Sequence, residues 1–293
     1  MPNRTDVQNK VTDSIIAALE SGVVPWQKPW VTRGAPANLV SGHVYRGINW
    51  LILQSVADEC GYGSNRWLTY KQAQSIGGQV RKGEQGTAIV FWKMIERGDD
   101  TIPLLRYYTV FNSEQVDGIT QPQHATTDVD VDTIASVRDY VLGVWTDTGN
   151  SLPTFRIEGD QPAYLPNSDA IKMPRDEQFR TVEGYTGALL HEAAHSTGHQ
   201  SRLNRWEGQS HQFGCADYAA EELTAEIAAA MIAARMGLTT EMDQHAAYVK
   251  SWLERLRDDR SMLIGAAQRA QKAADWICGE LSVSALVGVD ANA

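Results

Sequence analysis

The stretch "GALLHEAAHSTGHQSRL", Gly187 to Leu203, constrains this chain more than any other. His191 and His195 stand four residues apart, with Glu192 directly after the first, in the pattern His-Glu-x-x-His. On a helix, positions i and i+4 share one face, about a turn apart. Two imidazoles so placed can each give a nitrogen to one Zn²⁺, and Glu192 then lies beside the ion. A carboxylate there can take a proton from metal-bound water and later pass it to a leaving amine. The bland alternative is a solvated helix with two surface histidines. The preceding run, EGYTGALL, is apolar enough to favour a buried helix instead.

A catalytic zinc takes three protein ligands and keeps one position open. His199 follows His195 by four residues, but Gly198 is expected to end the helix, and one helix rarely supplies three ligands. The longer pattern HExxHxxGxxH would need a histidine where Ser201 stands. The better source is a second helix, "DYAAEELTAEIAAAM", with Glu221, Glu222 and Glu226. Glu222 and Glu226 share a face that otherwise holds Ala229, Ala230 and Ala233, small residues that permit close helix packing. Two carboxylates on such a face need positive charge opposite them. Either Glu222 binds the metal and Glu226 holds the far nitrogen of a ligand histidine, or the two exchange roles. Glu221 reads as an ordinary exposed residue. A His/His/Glu zinc site with an adjacent glutamate base is the apparatus of a metallopeptidase, and Mn²⁺ or Ni²⁺ could substitute for the zinc. Tyr185, Tyr218 or the His199/Arg202 pair could assist an oxyanion. Cys215 reads as a small packing residue.

The remainder of the chain does not look like an enzyme. Residues 1–97 carry eleven Lys/Arg against seven Asp/Glu, whereas residues 98–293 carry fifteen against twenty-nine. A net charge of −10 excludes a uniformly nucleic-acid-coating protein, but the basic first third leaves room for a local surface. Five of the nine tryptophans lie there too, interleaved with cations. Trp26, Trp30, Tyr45, Trp67 and Trp92 are candidates to stack unpaired bases. Lys28, Arg33, Arg46, Arg66, Lys71, Arg81, Lys82 and Lys93 are candidates to track phosphates. Such a unit also needs a core, which Trp50 and Trp92 are expected to join.

The segment pattern is α+β in two domains. Val7 to Leu19 reads as a helix, and a second helix starts near Asn49 as N-cap. A short helix lies in "RWLTYKQAQSIGG", followed by a hairpin at Gly83–Gly86 and strands in "TAIVFWKMIE" and "LLRYYTVFN". Residues 1–116 form the N-terminal α+β domain and 117–132 a polar linker. Residues 133–293 form a mostly helical domain with short strands in "FRIEG" and "AYLPNSDAIKMP" and helices at about 183–197, 216–236, 242–257 and 261–277. Cys60, Cys215 and Cys278 give no disulfide framework, no run of about 18 apolar residues is present, and the polar N-terminus lacks a secretory core. These features point to the cytoplasm.

The motifs "PWQKPW", "YRGINWLIL", "WLTYKQAQSIGGQVRKGEQGT" and "VFNSEQVDG" resemble the N-terminal domain of ArdC-type antirestriction proteins of conjugative plasmids, a domain shared with some plasmid primases. "LLHEAAHSTGHQSRLNR" and "YAAEELTAEIAAAM" resemble the zincin-like metallopeptidase domain fused to it. The resemblance implies an N-terminal single-stranded-DNA-binding domain, a C-terminal zinc peptidase domain, and a role in protecting transferred DNA from host restriction. It implies His191, His195 and one of Glu222 or Glu226 as metal residues, with Glu192 as base. The implied partners are single-stranded DNA and a protein substrate, with no membrane. The competing expectation is a non-proteolytic DNA-masking protein with a structural metal domain.

Overall fold

The structure, a computed structural model, describes residues 12–13, 15–22, 24–26, 34–97, 100–121, 129, 131–206, 215–241 and 246–279. For 92–97, 100–106, 216, 246–248 and 251 it describes the backbone alone. Trp30, Lys28 and Arg33 lie outside the described residues, as do the side chains of Trp92 and Lys93.

In the N-terminal half, β1 (Ala37–Asn38), β2 (Arg66–Thr69), β4 (Thr87–Arg97) and β5 (Asp100–Asn112) form one sheet in the order β1-β2-β5-β4. The β4–β5 ladder is antiparallel, from Thr87 opposite Val110 to Arg97 opposite Asp100. Helix α1 (Ile48–Glu59) covers one sheet face, where Leu53 and Ala57 pack with Trp67, Ile89, Val110 and Tyr45. On the other face, α2 (Tyr70–Ser75) and the ribbon of β3 (Gln79–Val80) with β6 (Val116–Asp117) bury Leu68, Ala73, Val80 and Val116.

Two local expectations are corrected. Asn49 does not cap α1, because its amide is committed to strand β4: Nδ2 donates to the Val90 carbonyl at 2.6 Å and Oδ1 accepts from the Val90 N–H at 2.8 Å. The helix begins one residue earlier, behind Gly47. The Gly83–Gly86 turn joins no hairpin, because β3 pairs with β6 rather than with β4.

The C-terminal half is helical around a small sheet. Strands β7 (Thr154–Ile157), β8 (Ala163–Leu165) and β9 (Ala170–Met173) lie in the order β7-β9-β8, so β8 is an edge. Helices α3 (Ile134–Asp147), α4 (Val182–Ser196), α5 (Ala216–Met236), α6 (Ala246–Asp258) and α7 (Ser261–Cys278) follow. Their close approach rests on alanine. Ala225, Ala228, Ala229, Ala230 and Ala233 of α5 are buried, as are Ala266, Ala267, Ala270 and Ala273 of α7. Cys215 is an N-cap rather than a packing residue, its Sγ accepting from the Tyr218 N–H at 3.4 Å. Gly237 ends α5 in the left-handed conformation that glycine adopts without strain, at φ 69°.

The two halves share a core. Ile15, Ile16, Leu19, Trp26, Trp50 and Leu51 belong to the same buried cluster as the helices of the second half. Trp26 meets Trp252 edge to face, with centroids 5.7 Å apart. An aromatic pair of this geometry contributes about 0.5–1.5 kcal/mol beyond its buried area. Around it, the Gly47 N–H donates to Gln271 Oε1 at 2.9 Å, Arg260 pairs with Asp13 at 2.7 Å, and Arg46 pairs with Asp275. No helix among the described residues is long and apolar enough to cross a membrane.

Candidate metal centre

Thr181 caps α4, its Oγ1 accepting from the Gly184 N–H at 3.0 Å. The helix then runs without a break through His191 and His195 and ends at Ser196. Gly198 follows with the Trp206 indole directly against its Cα, leaving no space for a Cβ. The glycine is therefore needed for this close approach.

Helix α5 packs on this segment and brings Glu221, Glu222 and Glu226 to the histidines. His191 Nε2 and His195 Nε2 are 3.0 Å apart. Glu222 lies 3.5 Å from His191 Nε2 through Oε2 and 3.6 Å from His195 Nε2 through Oε1. Ligands at the usual Zn–N and Zn–O distances, placed at tetrahedral corners, stand about 3.3 Å from one another. The two imidazole nitrogens approach that spacing, the Glu222 carboxylate turns one oxygen to each of them, and all three are donor types zinc accepts. His191, His195 and Glu222 are the described residues that offer three such atoms within 4.8 Å of one another. Glu226 sits on the other side of His191, with Oε1 3.7 Å from Nδ1. Of the two arrangements open on sequence, this geometry fits Glu222 facing a metal and Glu226 behind a ligand.

Glu221 is not the exposed residue expected from its helix position. It is 8% exposed, and its Oε1 is 3.1 Å from His195 Nδ1. Arg205 holds it from the other side, Nε to Oε2 at 2.9 Å and Nη2 to Oε1 at 2.7 Å. The same guanidinium donates to the Ala194 carbonyl at 2.6 Å and to Thr197 Oγ1 at 2.5 Å. Arg205 thus ties the last turn of α4 to α5. Adjacent helix positions differ by about 100°, so Glu221 and Glu222 reach the two nitrogens of one imidazole from different sides.

These contacts set the protonation. Burial is the largest influence on both imidazoles and disfavours charge, but at His191 the hydrogen bond to Glu222 and the charges of Glu226 and Glu192 together outweigh it, and at His195 the hydrogen bonds to Glu221 and Glu222 with their charges outweigh it strongly. Both histidine pKa values are raised. Burial would raise Glu221, but Arg205 and His195 pull it down to about 2. Glu222 is lowered below the usual range by its two histidines, again against burial.

Glu192 lies half-buried beside the histidines, where its Oε2 accepts the Tyr164 backbone N–H at 2.6 Å. Tyr164 is the middle residue of edge strand β8, and pairing of that strand with β9 leaves this N–H pointing outward. Three of the oxyanion candidates, Arg202, Tyr185 and His199, have other partners. Arg202 is buried, donating to the Ser196 carbonyl at 2.7 Å, to Tyr164 Oη at 3.1 Å and to Asp169. It locks the loop after α4 to the β8–β9 turn and has no free donor face. Tyr185 is buried edge-on against Phe179. His199 pairs loosely with Asp169 at 3.9 Å and is not brought to the other histidines.

The nucleic-acid expectation changes more. Trp26, Tyr45 and Trp67 are 1%, 8% and 0% exposed and cannot stack on a base, which corrects that reading for all three. A small α+β unit spends its large aromatics on its core. Arg46 is committed to Asp275, Arg66 reaches the Ala35 carbonyl at 3.1 Å, and Arg81 binds Glu84 at 2.6 Å. Lys71 and Lys82 are exposed and make no ion pair among the described residues.

Residues 5–119 match the N-terminal domain of anti-restriction factor ArdC, and residues 148–269 match a zincin-like metallopeptidase. The y4eC protein of Sinorhizobium fredii (strain NBRC 101917 / NGR234) is 38% identical, over 95% of this chain and 93% of that one. Two Escherichia coli DNA primases named TraC are 35% and 36% identical over 91% and 92% of this chain, which spans only 19% and 26% of their length. The crystal structure of antirestriction ArdC protein from the R388 plasmid in its metal-free form aligns with TM-score 0.80 at 41% identity, covering 93% of this chain and 96% of that one. Its Mn(II)-bound form aligns with TM-score 0.77 at 42% identity, covering 93% and 97%. With both halves matched in order and the His/Glu cluster in place, the chain belongs to the ArdC antirestriction family.

Proposed function

We propose that this protein binds single-stranded DNA through its N-terminal half and hydrolyses a peptide bond at the α4–α5 site, so helping transferred plasmid DNA to establish in a restricting host. The observation that carries the peptidase part is the convergence of one ligand atom each from His191, His195 and Glu222 within 4.8 Å, next to a glutamate bonded to the outer edge of strand β8. These three residues would hold a Zn²⁺, with Mn²⁺, the ion bound in the R388 relative, as an alternative. A bound zinc supplies Lewis acidity to a carbonyl and brings the pKa of water to about 7. Glu192 is the general base, its carboxylate oriented by the Tyr164 N–H. Glu221 holds the outer nitrogen of His195, and Glu226 faces that of His191 from 3.7 Å. An extended substrate backbone laid along β8 passes Glu192, with main-chain hydrogen bonds as its source of affinity. DNA held by the N-terminal half raises the local concentration of bound proteins around the site.

The second reading, DNA masking with a structural metal domain, draws on the burial of the cluster and on the core shared by the two halves. One comparison separates them. Zinc-loaded wild type and Glu192→Gln are assayed for cleavage of an unfolded protein with and without single-stranded DNA, and for plasmid transfer into a restricting recipient. Loss of cleavage and of transfer in the variant is expected. Wild-type performance of Glu192→Gln in both assays, with zinc and fold intact, would sink the peptidase reading.

A further inference from the structure

Burial of Trp26, Tyr45 and Trp67 leaves the question of where a base could stack. Among the described residues, the large aromatics exposed by more than 40% are Tyr70, Phe91 and Tyr108. They lie on opposite sides of the N-terminal sheet. Tyr108 is paired with Ile89, and Phe91 is two residues further along β4, so both belong to the face covered by α1. Phe111 is paired with Leu68 and faces the other way, toward α2 and the β3–β6 ribbon.

On that second face the sheet, α2 and β3 enclose an open pocket of about 680 Å³, lined by Tyr70, Phe111, Val80, Gln79, Arg81 and Lys82. Tyr70 is fixed rather than loose, its hydroxyl accepting from Gln79 Nε2 at 3.0 Å. The acidic residues at the rim, Glu84 and Asp117, are both met by Arg81, at 2.6 and 3.6 Å. Arg81 and Lys82 balance these two carboxylates, and Lys71 beside Tyr70 adds one cation in excess. Lys82 on the rim, and Lys71 on the first turn of α2 next to Tyr70, are exposed and carry no ion pair among the described residues. A held aromatic ring, a second half-buried ring and unpaired ammonium groups together form a stacking platform beside phosphate contacts. Duplex bases offer no free face to such a ring, so the occupant it suits is an unpaired strand.

We propose that this pocket is the nucleotide subsite of the N-terminal half: an unpaired base stacks on Tyr70 and Phe111 while Lys82 and Lys71 take the flanking phosphates. The inference rests on the DNA-binding part of the proposed function and assigns it to residues. The test uses the full-length chain and a fluorescently labelled oligothymidylate, read by anisotropy across a salt series. Tyr70→Ala weakens binding about 10-fold, by loss of one stacked base, and Tyr70→Phe keeps most of the affinity. Lys82→Ala and Lys71→Ala each weaken binding and flatten the slope of log K against log salt by about 0.7. The double variant Phe91→Ala/Tyr108→Ala, on the far face, binds as wild type does. All of these side chains are exposed, and circular dichroism confirms the fold of each variant. Wild-type protein that fails to bind the strand overturns the DNA-binding reading and this proposal with it. Wild-type protein that binds, with Tyr70→Ala and Lys82→Ala unchanged, overturns the pocket alone, as does a loss confined to Phe91→Ala/Tyr108→Ala.

Discussion

Glu221 offers the sharpest test of how the metal centre is built. Its carboxylate is 3.1 Å from His195 Nδ1 and doubly bonded to Arg205, with the Glu221 and Arg205 side chains 9% and 7% exposed. Glu221→Gln keeps an oxygen for the Nδ1–H of His195 but removes the charge that makes the imidazole a stronger ligand. Loss of such an outer partner costs about 10- to 100-fold in metal affinity, or about 1.4–2.7 kcal/mol. Glu226 faces the Nδ1 of His191 from 3.7 Å, beyond hydrogen-bond distance, so Glu226→Gln costs less. Glu221→Ala is a poorer probe, because it strands the Arg205 guanidinium in a buried setting at about 3–5 kcal/mol of stability. Zinc affinity of wild type and the two Gln variants is measured by competition with a chromophoric chelator, on protein whose fold is confirmed by circular dichroism. The reasoning fails if Glu221→Gln binds zinc within twofold of wild type, or if Glu226→Gln is the weaker binder.

Three further outcomes are expected. The raised His191 and His195 values contribute stability to metal-free protein that is full below pH 6.5 and lost as pH rises through them, while the depressed Glu221 and Glu222 contribute stability present above pH 4.5 and lost as pH falls through their lowered values, about 2 for Glu221. Metal-free protein is therefore favoured between about pH 4.5 and 6.5, and protons compete with zinc there. The gap in melting temperature between zinc-loaded and chelated protein should be wider at pH 8 than at pH 6, and the reverse order would contradict the cluster. At pH 8, with free zinc 100-fold above its Kd, metal should add about 2.7 kcal/mol of stability by linkage, and an unchanged melt on chelation would argue against a resident ion. Gly198→Ala presses a methyl into the Trp206 ring and should cost about 1–3 kcal/mol in a urea melt, whereas a neutral result would mean the indole moves aside freely.

The parts of the site that depend on local spacing were legible in the sequence. His191, Glu192 and His195 on one helix, and Glu222 with Glu226 on another, follow from the 3.6-residue period and need no knowledge of tertiary contacts. Glu221 was missed because its orientation depends on the angle at which α5 crosses α4, which no period encodes. Arg205 comes from a loop with no repeat to mark it. Arg202 looked free for catalysis because its partners Asp169 and Tyr164 are more than thirty residues away in the chain. The tryptophans misled for a related reason. Aromatics interleaved with cations look the same whether they face solvent or a sheet, and only the register of β2 against β5 turns Trp67 inward and aligns Leu68 with Phe111. The strand segments were found by their β-branched and aromatic content, but the partner of β3 depends on a pairing 36 residues distant, from Val80 to Val116.

The cluster that runs from Ile15 through Trp50 to Ile277 has a consequence for inheritance. Cutting the gene within codons 117–132 would give two fragments, each with a bare apolar face and a tendency to aggregate. Both TraC primases match this unit across more than 90% of its length, inside chains several times longer. A mutation that loosens either half is felt by the other through Trp26 against Trp252, so selection acts on one shared melting point rather than on two separable parts.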